Sequence, residues 1–247
     1  MTPEIPFRRG AVEPVECIKG GWEIIKNQYW LFVGMTLVGV LIGGAVPIVL
    51  MGPMMCGLNL AFFKTRRGEP IEFGTLFKGF DYFGQSVIAA VLHTIPVIVI
   101  VVPAYILFYV FMFVSMAAAS SSGDPNPAAF LGVMVGFGLF WLVVVGIIII
   151  IGIGFLFVYP LIVDRKLSAI DAIKLSFRAA LANFWRLLGM VILTSLMSAV
   201  GVLACYVGAF LVMPIGYAAI AKAYEQVFGL DEGVGFSNMP PPPPVFQ

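Results

Sequence analysis

Long apolar runs alternate with short amphipathic stretches along this chain, and the alternation predicts its elements. From Pro14 onward, Val15, Ile18, Trp22, Ile25 and Tyr29 recur at spacings of three and four, while Glu16, Lys19, Glu23 and Lys26 fill the other side. An apolar stripe beside a charged face, ending in aromatics, predicts a helix lying in a membrane interface. Pro14 can open it, because its missing N–H would be unpaired there in any case. Residues 30–46 then predict a first span, with Gly43, Gly44 and Pro47 marking a tight turn. Residues 48–63 predict a second span, interrupted by Pro53 and closed by Lys64, Arg66, Arg67 and Gly68.

The pattern then starts again. Phe73, Leu76, Phe77, Phe80 and Phe83 make a second apolar stripe, with Glu72, Lys78 and Asp81 off it. A third span lies within 86–116, where Pro96 and Pro103 each remove a backbone hydrogen bond and predict kinks. A turn-rich loop at 120–127 leads to a fourth span over 128–160. The third amphipathic stretch opens on Ser168 with Asp171 three residues on, an N-terminal capping signal. Ile170, Ile173, Phe177, Leu181 and Phe184 form its stripe, opposite Asp171, Lys174 and Arg178. Spans five and six follow at 185–200 and 203–223, the latter broken at Pro214. The chain closes on Pro240, Pro241, Pro242, Pro243 and Pro244, a short polyproline II rod, and Phe246 adds an apolar tip.

Composition decides which solvent such elements need. Hydrophobic residues make up 61% of the chain and charged residues 11%, against roughly 25% charged in a soluble domain. There is too little polar surface to face water, and runs of about 20 apolar residues suit a bilayer. A net charge of +1 with no basic patch excludes nucleic acid as a partner. The partners expected instead are membrane lipids, other membrane-protein subunits or further copies of the chain. Residues 1–14 carry Glu4 and Glu13 but no apolar core or small-residue cleavage site, so the first span is expected to act as an uncleaved anchor. The 14 basic residues lie in the arm, in the amphipathic stretches and the turn after them, or behind spans two and four, with Lys222 closing span six. The turns near Gly44, Asp124 and Gly201 hold none. Basic residues mark the cytoplasmic side, so the expectation is six spans with both termini in the cytoplasm.

The first and last thirds also match each other. An offset of 155 carries Lys19 to Lys174, Trp22 to Phe177, Tyr29 to Phe184, Trp30 to Trp185 and Gly34 to Gly189; an offset of 161 then carries Leu50 to Leu211, Pro53 to Pro214 and Gly68 to Gly229. Both copies begin on the same side, so they are parallel repeats. The expected fold is all-α: a polytopic membrane protein of three hairpins, each preceded by an amphipathic interfacial helix. Its parts are an arm (1–14), a first repeat (15–68), a central hairpin (69–164), a second repeat (165–229) and a Pro-rich cytoplasmic tail (230–247).

The stretch VYPLIVDRKLSAIDAIKLSFRAALANFWRLLG, followed by MPIGYAAIAKAYEQVFG, resembles uncharacterised multipass bacterial membrane families. It is also similar to the membrane-embedded domain of some bacterial glycerophosphodiester phosphodiesterases. The likeness covers the C-terminal third well and the rest loosely. It implies the fold and a bacterial inner membrane, but not the hydrolase activity. Such hydrolases need metal-binding acids and catalytic histidines, and this chain holds one histidine and no hydrolase domain.

That histidine, His93, is the main candidate for intramembrane chemistry. Ionisable groups inside a membrane are costly and often mark a relay or a ligand. Against this, no charged residue sits mid-span to pair with it, and a carbonyl freed by Pro96 offers it a hydrogen bond. Asn59 is the second polar candidate; helix-to-helix bonding is its commoner use. Asp164, Arg165 and Lys166 read as a span end. Trp22, Tyr29, Trp30, Phe177, Phe184 and Trp185 read as membrane-interface anchors, and the prolines with Phe246 as a docking element. Cys17, Cys56 and Cys205 have no metal-like spacing, and no cofactor is expected. Together these predict a non-catalytic subunit or scaffold of a membrane complex. The alternative is a transporter or channel for a small apolar or amphipathic solute, with its path beside the proline-broken spans two and six.

Overall fold

Pro14 occupies the first turn of helix α1 (Pro14–Ile25), where its missing donor costs nothing. A 3-10 turn at Lys26–Gln28 passes into α2 (Tyr29–Ala45), and α3 (Pro47–Arg66) again opens on a proline. A 3-10 helix, Phe73–Tyr82, is started by a reciprocal Glu72–Thr75 capping box and continues into α4 (Phe83–Ser121). Then come α5 (Pro127–Phe155), α6 (Val158–Asp164), α7 (Ala169–Ala182), α8 (Phe184–Leu203) and α9 (Val207–Phe228). This computed structural model describes residues 5–121, 127–203 and 207–230. Among the described residues there is no strand, and five helical stretches are long and apolar enough to cross a membrane: Pro14–Ala45, Pro47–Arg66, Phe73–Ala117, Leu131–Asp164 and Phe184–Leu203.

Each amphipathic stretch leaves part of its apolar stripe outside and packs by a neighbouring edge. In α1 the buried residues are Cys17, Gly21, Ile24 and Ile25, while Val15 and Trp22 are exposed. In the 3-10 helix Thr75, Leu76 and Gly79 are buried, and Phe73, Phe77 and Phe80 point outward. In α7 the inner edge is Ala169, Ala172, Ser176, Ala179 and Ala180, with Ile170 and Leu181 outside. The reason is the solvent. Lipid tails are as apolar as leucine, so helices associate through close packing, which small residues allow. Large apolar side chains can stay outside at little cost, although Ile25 and Leu76 are buried.

These inner edges run along the helix that comes before them. Gly57 of α3 and Gly79 cross so closely that a Cβ on Gly57 would lie 1.9 Å from the Leu76 carbonyl oxygen, and one on Gly79 2.0 Å from that of Pro53. Further along, Gly52 meets the Ser86 backbone and Glu69 pairs with Lys64, so the segment ascends as α3 descends. Helix α7 packs on α5 and α6. For α1 the partner is at the other end of the chain. The Glu13 N–H and the Cys17 thiol donate to Gln226 Oε1 at 3.0 and 3.1 Å. Gly20 lies against the Lys222 stem and Gly21 against the backbone of Ala218 and Ala219. The Tyr29 hydroxyl donates to the Leu211 carbonyl at 2.8 Å. Helix α1 therefore runs antiparallel to α9.

The core surrounds α3, where every residue from Gly52 to Asn59 is buried, as are Ala61, Phe62 and Phe63. The Phe32 and Phe62 rings stack at 5.0 Å across α2 and α3. Two expectations need correction. Pro53 and Pro214 do not break their helices; α3 and α9 each run through them. The expected fourth span instead breaks at Leu156 and Phe157, between α5 and α6. Pro160 in the first turn of α6 has no N–H to return to Leu156. Ser176 splices the break: its hydroxyl donates to the Gly154 carbonyl and accepts from the Phe157 N–H at 3.2 Å.

Candidate functional site

The ends of three helices meet around one carboxylate. Asp164 is the last residue of α6, and its side chain is fully buried. Arg67, just past α3, donates through Nη2 to Asp164 Oδ1 at 2.8 Å. The Tyr224 hydroxyl of α9 donates to Oδ2 at 2.8 Å, and Arg165 Nε faces the same oxygen at 3.3 Å. The Arg165 fork also reaches the Phe228 and Gly229 carbonyls, both at 3.3 Å, and so caps the end of α9. Beside it, Arg66 grips Glu225 with two parallel bonds, Nε to Oε2 at 2.9 Å and Nη2 to Oε1 at 2.7 Å, and Lys222 adds a contact at 3.2 Å. A fork on a carboxylate fixes direction as well as distance, so α3 and α9 are held in register.

A second cluster fastens the N-terminal arm. Asn183, buried between α7 and α8, accepts from the Ala11 N–H at 3.1 Å and donates to the Arg8 and Ala179 carbonyls at 3.2 and 2.9 Å. Arg186 reaches the Val12 carbonyl at 3.2 Å, and the Arg8 N–H donates to Val227 at 2.9 Å. Chemically, these clusters can hold helices together. The Asp164 oxygens are already engaged by cations and a hydroxyl. Among the described residues no group of three His, Cys, Asp or Glu side chains could hold a metal ion.

The residues singled out from the sequence are distributed differently. Trp22, Tyr29 and Trp30 come together, with Trp22 and Trp30 each 5.4 Å from the Tyr29 ring. With Lys26, Asn27, Gln28 and Leu31 they line an open cleft of about 470 Å³. Trp30 and Trp185 open α2 and α8 with side chains 74% and 80% exposed. Phe184 sits edge-on to Trp185 at 5.3 Å. Phe177 turns inward onto Phe155 at 5.4 Å, and Phe155 also meets His93 at 4.6 Å. His93 is thus half-buried in an aromatic contact. Asn59 donates to the Met55 carbonyl of its own helix at 2.8 Å and does not bridge helices. Pro240, Pro241, Pro242, Pro243, Pro244 and Phe246 lie outside the described residues.

Sequence reasoning missed Arg67, Tyr224, Glu225, Asn183 and Gln226, although one signal was present. Arg8-Arg9-Gly10, Arg66-Arg67-Gly68 and Asp164-Arg165-Lys166 each stand a few residues ahead of an amphipathic helix. The third residue of each has positive φ: 62° at Gly10, 74° at Gly68 and 50° at Lys166. Gly229, after α9, has 68°. Left-handed residues end helices and redirect the chain, so one junction is used repeatedly. No family model matches the chain, and neither a curated protein nor a solved structure does.

Proposed function

We propose that the chain is a six-span integral membrane protein of a bacterial inner membrane, with cytoplasmic termini, that acts as a non-catalytic subunit or scaffold of a larger membrane complex. The spans are α2, α3, α4, α5 with α6, α8 and α9, paired as three hairpins. Several features support this plan. The basic residues gather at one set of ends. Gly57, which meets Gly79, and Ala218, which meets Gly21, are related by the sequence offset of 161. The positions that the offset equates in α3 and α9 thus each lie against a glycine of an amphipathic segment, which supports the repeat.

One observation carries the scaffold reading. Only 6% of the apolar window of Phe73–Ala117 is buried by the chain itself. Such a surface is open to other membrane proteins as well as to lipid. The buried polar groups favour this over transport: Asn59 bonds within its own helix, and Asp164 is held by Arg67, Arg165 and Tyr224. The test is purification in lipid nanodiscs without detergent exchange, followed by native mass spectrometry. A further polypeptide at fixed stoichiometry is expected. Single chains carrying lipid alone would overturn the reading. Labelling of single cysteines placed at Ser122 and Ser168 checks the topology, with access from opposite sides expected.

A further inference from the structure

The cleft where α1 passes into α2 holds more polar chemistry than the turn needs. The offset of 155 that carries Trp22, Tyr29 and Trp30 to Phe177, Phe184 and Trp185 also carries Glu23, Lys26, Asn27 and Gln28 to Arg178, Leu181, Ala182 and Asn183. In that second junction Leu181 is exposed, and Asn183 turns inward to fasten the N-terminal arm. An amphipathic helix can therefore be joined to a span without an ion pair or a free amide. In the first junction Lys26 and Glu23 are paired, and both are exposed. Asn27 and Gln28 are exposed too, and Gln28, although it stands at the N-cap of α2, makes no side-chain capping bond. Lys26, Asn27 and Gln28 all line the cleft of about 470 Å³.

Apart from Leu31, the rest of the lining is aromatic, and it is held in place. The Tyr29 hydroxyl is spent on the Leu211 carbonyl at 2.8 Å, which fixes the middle ring. Trp22 and Trp30 are inclined to that ring at 60° and 63°. Rings so inclined bound a concavity, and aromatic faces attract an ammonium group. The cleft also has an apolar exit along α2, where Trp30, Leu37 and Leu41 are exposed at helical spacings of seven and four. Groups for a cation, groups for an anion and a path for a hydrocarbon chain thus occur in one place.

We propose that this cleft binds one molecule of a zwitterionic phospholipid, whose headgroup carries both a phosphate and an ammonium. The phosphate accepts charge-assisted hydrogen bonds from Lys26 and further ones from the amides of Asn27 and Gln28. The ammonium lies against the aromatic rings and Glu23, and one acyl chain follows Trp30, Leu37 and Leu41. A zwitterion suits the site better than an anionic headgroup does. Helix α1 and its turn carry Glu16 and Glu23 against Lys19 and Lys26, so no net positive charge is present to hold a lone anion. A headgroup with both charges exchanges partners with the Lys26–Glu23 pair one for one. The site rests on the interfacial position of α1 and holds whether or not the chain is a scaffold.

The experiment offers the full chain in detergent equal amounts of dioleoyl phosphatidylethanolamine, dioleoyl phosphatidylglycerol and dioleoylglycerol, and counts the lipid retained by native mass spectrometry. One phosphatidylethanolamine per chain is expected, held about tenfold better than either of the others. Retention should fall about tenfold in Lys26→Gln and in Trp22→Ala/Trp30→Ala. It should also fall in Glu23→Lys/Lys26→Glu, which keeps an ion pair on the surface but reverses it; a pair that only stabilises α1 would leave retention intact. Arg178→Gln and Trp185→Ala, at the equivalent places in the second junction, should change nothing, and thermal midpoints check that every variant folds. Phosphatidylglycerol held as well as phosphatidylethanolamine would overturn the zwitterionic headgroup, and dioleoylglycerol held as well would overturn headgroup recognition altogether. Lipid lost equally from the second-junction variants, lost from no variant, or not retained at all would overturn the cleft as its place. Displacement by glycerophosphoethanolamine, which has no acyl chain, at the same concentration would overturn the lipid in favour of a soluble phosphoamine.

Discussion

Helix α3 and the α4 segment show how differently two apolar stretches can be used in one chain. In α3 61% of the apolar window is buried inside the protein, and in Phe73–Ala117 only 6% is. The exposed stretch is the more apolar of the two. In water this order would be reversed, because burial there follows hydrophobicity. In a bilayer the large aliphatic side chains are already in their preferred solvent, so the interior goes to residues that allow close approach. Gly52, Gly57 and Asn59 are inside, and Ile98, Val99 and Leu107 are outside.

The strongest way to break this comparison is to add a side chain on each side of it. Gly57→Leu would drive a Cβ into the Leu76 backbone, and a loss of ~3–5 kcal/mol or failure to accumulate is expected. Gly146→Ala has open space around it and should be neutral or stabilise by up to ~1 kcal/mol, as alanine favours helix over glycine. Reversible unfolding in mixed micelles reads both; equal effects would mean that α5 is packed as tightly as α3. Next in size is the carboxylate that ties α3 to α6 and α9. Asp164→Asn removes the carboxylate charge that Arg67 and Arg165 face, at ~2–4 kcal/mol after allowing for the partial exposure of Arg67. Tyr224→Phe removes one buried bond to a charged group and should cost ~1.5–3 kcal/mol in the same assay. A loss for Asp164→Asn smaller than that for Tyr224→Phe would mean that the cations find other partners.

Smaller effects sharpen the picture. Lys166 is the only non-glycine with positive φ among the described residues, so Lys166→Gly should stabilise by ~0.5–1 kcal/mol. No gain in midpoint would show that its side chain compensates for the backbone conformation. Trp30→Ala and Trp185→Ala remove exposed rings, and each should change stability by less than ~0.5 kcal/mol. Their fluorescence, quenched by lipids brominated at graded depths, should place both rings near the headgroups. Deep quenching of either would break the match between α2 and α8.

Much of the helical plan was legible because hydrophobic periodicity and turn residues are local signals. Ser168 does cap α7, its hydroxyl accepting from the Asp171 N–H at 3.3 Å, and the Lys64–Gly68 cluster does end α3. The packed faces were not legible. Periodicity finds the large apolar stripe of each amphipathic helix, whereas lipid leaves much of that stripe outside and neighbouring small residues such as Gly21, Gly79 and Ala179 are buried. The break at Phe157 is spliced by a hydroxyl 19 residues away, and its one local signal is Pro160. The Asp164 cluster was overlooked for a related reason. Basic residues at a span end are expected on topological grounds alone, and the carboxylate among them shows its purpose only when Arg67 and Tyr224 arrive from elsewhere in the chain.

The pairing of α1 with α9 has a consequence for how the protein is made. Glu13 and Gln226, which bond directly, are 213 residues apart in sequence. At ~5–20 residues per second, ~10–40 s of synthesis separate them. During that interval α1 has no partner for its glycine edge, and lipid or an insertion factor must occupy the place reserved for α9. The last helix to be made therefore completes the packing of α1, and a ribosome that stalls before 207 leaves that edge uncovered. It also means that the start of α1 and the end of α9 are neighbours. A permuted gene that begins at Glu69 and joins the old termini through a flexible linker should insert the same helices in a new order, without waiting for its first one to be matched.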